Sequence, residues 1–185
     1  MKINFAVLLG LWAVFPNISA AQPAAAPEAT ASFSLTSAAF KEGDEISPQY
    51  ACDGANASPA LRWTGAPSGV KSFAIILKDP DAPGGTFFHW VIFNIPATKH
   101  GLPKSFAFRE KLPDGTIQGL NDFGKVGYGG PCPPSRNAHR YIFTLYALDA
   151  KLPARVGMKA GDLGTAMKGH ILAQTRLMGT YRRNF

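Results

Sequence analysis

An all-β sandwich with one helix near its end is the fold class that this sequence predicts, and three observations predict it. From Ser32 onward the apolar runs are short and separated by clusters of Gly, Pro, Asn and Asp, the spacing of successive strands and turns rather than of alternating strands and helices. Two of these runs, Ser72 to Lys78 and Trp90 to Ile95, are apolar on both faces, so they belong in the middle of a core. A single later stretch, Gly161 to Met178, changes rhythm to steps of three and four (Leu163, Met167, Ile171, Gln174, Met178) and reads as a helix.

Before the first strand, Lys2 and the apolar run Phe5 to Phe15 read as an export signal over residues 1–20, with small residues at Ser19, Ala20 and Ala21 for cleavage. The run is shorter than the ~20 residues a membrane-spanning helix needs, which disfavours a permanent anchor. Residues 21–31 are rich in Ala and Pro and read as a flexible leader, leaving 32–185 as the domain. With 46% hydrophobic and 17% charged residues, that length suits one well-buried domain.

In chain order, Ser34 to Phe40 is a first candidate strand, followed by a turn at Glu42 to Glu45 and a short run from Ile46 to Ala51. Cys52 to Pro59 is turn chemistry throughout, and Leu61 to Thr64 alternates around Trp63. The run Ser72 to Lys78 stops at Asp79-Pro80-Asp81-Ala82-Pro83-Gly84-Gly85, where a central strand cannot continue. If it pairs with Trp90 to Ile95 as an antiparallel hairpin, Asp79 and His89 lie at the same end of the sheet. Between Ala97 and Tyr128 only Thr116 to Asn121 reads as a weak strand; the rest is long loop packed by its own aromatics. The stretch YGGPCPPSRNAHRY, Tyr128 to Tyr141, is a shaped loop that enters the strand Ile142 to Leu148. Alternation puts His139 and Tyr141 on one face of that strand and Arg140 on the other. His170, beside the predicted helix, reads as a packing or surface residue, and Gly179 as the residue that ends the helix.

The net charge of +7 invites an acidic partner, but apart from Arg182 and Arg183 the cations are scattered, which argues against nucleic acid. In an exported chain Cys52 and Cys132, the only two cysteines, favour a disulfide across 80 residues of sequence. Such a link is worth on the order of 4 kcal/mol in the chain-entropy model. The alternatives are two free thiols or a reactive Cys132.

The motifs DPDAP at Asp79 to Pro83, His89-Trp90 followed by Asn94-Ile95-Pro96, GGPCPP at Gly129 to Pro134, His139-Arg140-Tyr141, Gly179-Thr180-Tyr181 and Cys52-Asp53-Gly54 occur in this order along nearly all of 32–181. Together they resemble the phosphatidylethanolamine-binding protein family, in its bacterial Raf-kinase-inhibitor-like branch. The resemblance implies two antiparallel sheets packed as a Greek-key-like sandwich with a C-terminal helix. It also implies a small pocket for phosphorylated or other small anions, lined by Asp79, His89, Pro133 or Pro134, His139 and Tyr141, with no catalytic residue, metal or cofactor. Membrane contact would come only through a phospholipid headgroup. Kinase inhibition is part of the family's name, and modulation of a partner kinase or protease is a fold-level expectation that no motif here encodes. The chain departs from the family's pattern at Ser135-Arg136-Asn137-Ala138, which sets a bulky cation beside the mouth.

Two histidines and a Tyr hydroxyl can supply convergent donors to a phosphate. Asp79 would then orient His89, or pair with Arg140 on the reverse face; the plainer reading is that Asp81, and less so Asp79, bonds to local backbone N–H groups of the turn. A hydrolase would have to use Ser135 as its nucleophile, without a GxSxG elbow. A zinc enzyme would have to use Asp79, His89 and His139, without ligand spacing of the usual kind.

Overall fold

The computed structural model describes residues 32–153, 155 and 157–183; the export segment and leader expected over 1–31 lie outside them. Among the described residues, eight strands form two antiparallel sheets. β1 (Ser34–Ser37), β2 (Leu61–Thr64) and β5 (Gly101–Leu102) make the smaller one, in the order β1-β2-β5. The larger has the order β6-β4-β3-β7-β8, from β3 (Ser72–Asp79), β4 (Phe87–Pro96), β6 (Ile117–Gln118), β7 (His139–Leu148) and β8 (Ile171–Tyr181). One helix, α1 (Ala160–Ala166), precedes β8.

The central strand β3 follows the period-two rule. Phe73, Ile75 and Leu77 enter the core between the sheets with Trp63, Trp90, Phe143 and Leu145. Ala74 and Ile76 enter a second core on the outer face, closed by Leu163 and Met167 of the α1 segment and by Leu152 and Met158. Burial on both faces is why the run carries no alternating polar residue.

Strand β4 keeps this alternation only by bulging twice. Near its end the pairing steps from Phe73↔Ile95 to Ile75↔Ile92, and Asn94 sits in the left-handed region at φ 55°. Asn tolerates that conformation, and here its side chain uses it: Nδ2 donates to Leu152 O at 2.9 Å and Oδ1 accepts from Leu152 N–H at 2.8 Å, docking the connector before α1. The second bulge, at His89, shapes the site described below.

The predicted helix over Gly161 to Met178 is shorter than its rhythm suggested. α1 ends at Ala166, the chain turns through Gly169 at φ 80°, and Ile171 to Tyr181 is the edge strand β8, paired with β7 from Leu148↔Ile171 to His139↔Tyr181. The spacing of Ile171, Gln174 and Met178 was a coincidence of composition. The pattern that decides the strand is alternate: Leu177, Gly179 and Tyr181 point inward. Gly179 is therefore not a helix terminator. It is the point where Ile46 packs against the strand, and a Cβ there would lie 2.6 Å from Ile46 Cγ1. His170 sits in the turn, exposed, with Nδ1 2.8 Å from Asp149 Oδ1.

Three other elements are shorter than expected. The first strand stops at Ser37, and the weak strand over Thr116 to Asn121 reduces to Ile117–Gln118. The run Ile46 to Ala51 forms no strand. Ile46 N–H bonds to Thr180 O on the edge of β8, and Pro48, which lacks a donor, then starts a 3-10 turn over Pro48–Tyr50.

Candidate functional site

The β3–β4 hairpin brings Asp79 and His89 to one end of the larger sheet, with Asp79 opposite Phe87. Pairing steps from Leu77↔Trp90 to Lys78↔Phe88, so His89 is the extra residue of a bulge and has no partner across the ladder. A bulge re-aims the side chain it carries. The His89 ring stands edge-on to Tyr141 of β7 (centroids 5.2 Å) and is flanked by Phe87 and Phe123 (5.0 and 5.3 Å).

Asp79 does not orient His89, the role the sequence suggested. Its Oδ2 accepts from His139 Nδ1 at 2.8 Å and its Oδ1 from the Asp81 N–H at 2.8 Å, so both oxygens of a buried carboxylate are satisfied. The turn reading of Asp79 holds, and the pairing with Arg140 that was offered for Asp79 falls to Asp81. Asp79 makes the local turn bond, and Asp81 takes Arg140, accepting from Nε at 2.9 Å, Nη2 at 2.6 Å and the backbone N–H at 2.9 Å. The Arg140 side chain bonded to it holds the Asp81 carboxyl down at about 2. Arg140 lies on the exposed face of β7, whereas His139 and Tyr141 face inward and are buried, as alternation requires.

His89 is oriented instead by the Gly-Pro loop. Its Nδ1 lies 2.9 Å from Gly129 O and 3.1 Å from Gly130 O. Both partners are carbonyl oxygens, so Nδ1 carries the hydrogen and Nε2 of the neutral ring presents a lone pair. Among the described residues Nε2 has no hydrogen-bond partner and is not sealed from solvent; the cavity that His89 lines is where it is available. Burial lowers the His89 pKa, against the opposing effects of the Gly129 carbonyl and the Asp79 charge.

The loop is itself fastened from several sides. Gly129 N–H donates to His89 O at 2.8 Å, Gly130 N–H to Asn56 Oδ1 at 2.7 Å, Cys52 N–H to Pro131 O at 3.0 Å, and Tyr128 hydroxyl to Tyr50 O at 2.8 Å. The Cys52–Cys132 disulfide, with Cα atoms 5.4 Å apart, joins the Cys-Asp-Gly turn to the same loop. Gly130 must be glycine, since a Cβ would come within 2.3 Å of Tyr50 O.

These pieces enclose a cavity of about 450 Å³. Of the residues expected to line it, Asp79, His89 and Pro134 do. Pro133 is buried in the loop, and His139 and Tyr141 form the layer behind Asp79 and His89. The Tyr141 hydroxyl is buried beside the Asp79 carboxylate and the Cys132 backbone without a hydrogen bond of good geometry to either; burial first, then the Asp79 charge, push its pKa up. Ser135 and Arg136 are exposed and outside the lining, and Ser135 Oγ accepts from Asn137 N–H at 3.3 Å. Of the zinc ligands considered, His139 Nδ1 is engaged by Asp79 and His89 Nδ1 by carbonyls. Among the described residues no three His, Cys, Asp or Glu side chains form a group that could hold a metal.

Sequence reasoning missed Phe87, Asp122 and Phe123, which also line the cavity. Asp122 belongs to a turn built by Asn121, whose Oδ1 accepts from the Phe123 and Lys125 N–H groups; Asp122 Oδ2 accepts from Phe88 N–H at 2.8 Å, bringing the turn against β4. The Asn-Asp-Phe-Gly sequence marks a turn, but nothing in it says which strand the turn docks on.

The comparisons agree with this architecture. A crystal structure of Escherichia coli YbcL, described as a new member of the mammalian PEBP family, superposes with a TM-score of 0.76 at 38% identity, over 82% of this chain and 99% of that one. The crystal structure of CT736 from Chlamydia trachomatis, described as a putative phosphatidylethanolamine-binding protein homolog, gives 0.75 at 38% identity, over 82% and 98%. A protein of Methanothermobacter thermautotrophicus, named UPF0098 protein, is 49% identical over 149 residues, covering 80% of this chain and 98% of that protein. Residues 36–182 match the family model described as phosphatidylethanolamine-binding protein. A sandwich with this strand order, a bulged histidine at its mouth and that match along most of its length places the chain in the phosphatidylethanolamine-binding protein family.

Proposed function

We propose that this is an exported binding protein, periplasmic or secreted, whose cavity takes a small phosphorylated ligand and supplies the balancing charge by protonating His89. The observation that carries the reading is the fixed ring of His89: Nδ1–H is held by the Gly129 and Gly130 carbonyls, so a proton gained on Nε2 creates a donor and a positive charge at the cavity wall without moving any atom. Among the described residues no Lys or Arg lines the cavity, so His89 is the lining group that can become cationic.

The sign of the pH dependence follows. In the free protein burial keeps the ring neutral to below its ordinary value; a bound anion favours the imidazolium and raises it. Binding therefore takes up a proton between the two values, and affinity falls as pH rises through that window, by up to tenfold per unit. Calorimetry with phosphate, phosphoethanolamine and a nucleotide near pH 6 and pH 8, repeated in buffers of different ionisation enthalpy, reads both affinity and proton uptake. His89→Gln should remove the part of the uptake that the ligand's own titration does not supply. Absence of saturable binding of all three at pH 6 would sink the proposal.

A further inference from the structure

Resting on that reading, we propose that the cavity selects oxyanions that bring a proton of their own, with Asp122 as the residue that accepts it. The titratable side chains that line the ligand space are held as acceptors, and the Thr86 hydroxyl is the lining side-chain group with a hydrogen to donate. From β4 comes Nε2 of His89; from β3 comes Asp79, whose oxygens already accept from Asp81 N–H and His139 Nδ1. From the turn after β6 comes Asp122, exposed, with Oδ2 on Phe88 N–H and Oδ1 accepting from no protein group among the described residues. From β7 the titratable groups are His139, behind Asp79, and Tyr141, against His89; the Gly-Pro loop offers the Gly129 and Gly130 carbonyls, both directed at His89 Nδ1. Both carboxylates also act on His89 through their charge.

An anion entering such a space meets two negative charges. If it has no proton, it is repelled by Asp122, and the cation that can offset this is a protonated His89. A hydrogen phosphate or singly protonated phosphate monoester can donate its O–H to Asp122 Oδ1 while its other oxygens face His89, turning the repulsion into a charge-assisted hydrogen bond. Asp79 is the poorer acceptor, because it is buried and each of its oxygens already accepts a hydrogen bond, whereas Asp122 Oδ1 accepts none from the described residues. Sulfate matches phosphate in shape and carries no proton at neutral pH. Sites that hydrogen-bond a ligand hydroxyl reject analogues lacking it far more strongly than size alone allows.

The test is calorimetry on the wild-type protein and on Asp122→Asn at pH 6.5, with inorganic phosphate against sulfate. The wild type should bind phosphate at least about tenfold more tightly than sulfate, the lower range for a hydrogen bond to a charged group. Asn keeps an oxygen for the Phe88 N–H and presents an amide donor in place of the acceptor, so the variant should gain sulfate and bring the ratio to within about threefold. A second arm needs no variant: methyl phosphate should bind the wild type at least about tenfold more tightly than dimethyl phosphate, which has no proton to give. Equal binding within either wild-type pair, or a ratio in a folded Asp122→Asn protein that does not move, overturns this inference and leaves the proposed function standing. Failure of every anion to bind overturns both.

Discussion

Asp79→Asn separates a residue that holds the site's second layer from one that touches ligand. Asp79 is buried and accepts two hydrogen bonds, from the Asp81 N–H and from His139 Nδ1, each at 2.8 Å. An asparagine has one oxygen for two donors. The backbone N–H cannot change, so the oxygen stays with Asp81, and His139 must shift its hydrogen to Nε2 to accept from the new amide. Two charge-assisted bonds become two neutral ones, a loss of roughly 1 kcal/mol each; relief from burying a charge returns part of it, leaving about 1–2 kcal/mol. For a domain of this size that is a fall in Tm of roughly 2–8 °C, read by calorimetric or fluorescence melting.

The same change acts on His89 at a distance. The Asp79 charge favours the His89 imidazolium, so its removal lowers the His89 pKa further and makes the proton that accompanies the ligand harder to add. Phosphate binding should weaken near pH 7 and approach the wild-type value near pH 5, shifting the affinity profile to lower pH rather than scaling it. The opposite expectation is simple: a nearby carboxylate repels an anion, and its loss tightens binding. An unchanged Tm together with tighter binding at pH 7 would refute the reasoning on both counts.

Two further outcomes test the loop that orients His89. Gly130→Ala should cost about 1–3 kcal/mol, because the new methyl cannot fit 2.3 Å from Tyr50 O and 2.7 Å from Asn56 Oδ1 without moving backbone; urea unfolding measures it, and a loss below about 0.5 kcal/mol would mean that the loop yields freely. Replacing both Cys52 and Cys132 by alanine should lower stability by up to about 4 kcal/mol, the loop-closure value for a bridge over 80 residues, and wild-type protein should show no alkylatable thiol by intact mass until it is reduced and unfolded.

The central strands were legible because burial writes itself in the sequence. A run such as Phe73-Ala74-Ile75-Ile76-Leu77 has only one comfortable place in a small domain, between two cores, and Pro80 and Gly84-Gly85 set its end. β8 was not legible. It is an edge strand, Leu172, Gln174 and Arg176 are at least partly open to solvent, and its inward positions include a glycine, so the inward stripe carried too few large residues to compete with a chance helical spacing. What fixes it as a strand is Ile46 and Phe40 closing over Gly179, a contact more than 130 residues away in sequence.

The site divides along the same line. Alternation correctly placed His139 and Tyr141 together and Arg140 apart, since that depends only on local geometry. Which carboxylate meets which cation depended on a single inserted residue. Without the bulge at His89, alternation would carry this ring to the opposite face from Trp90, toward Val91 and Phe93 in the outer core. With the bulge, His89 comes against Tyr141 and takes the carbonyls of Gly129 and Gly130, and Asp79 is left for His139. No propensity at His89-Trp90 signals an extra residue, because the bulge's partners are loop carbonyls supplied 40 residues later and held in place by Asn56 and the disulfide. The polarity of the cavity follows from that long-range arrangement: with Nδ1 committed to carbonyls, the histidine faces the cavity as an acceptor until it is protonated, and under the proposed function the charge that balances a phosphoryl group is one that arrives with it.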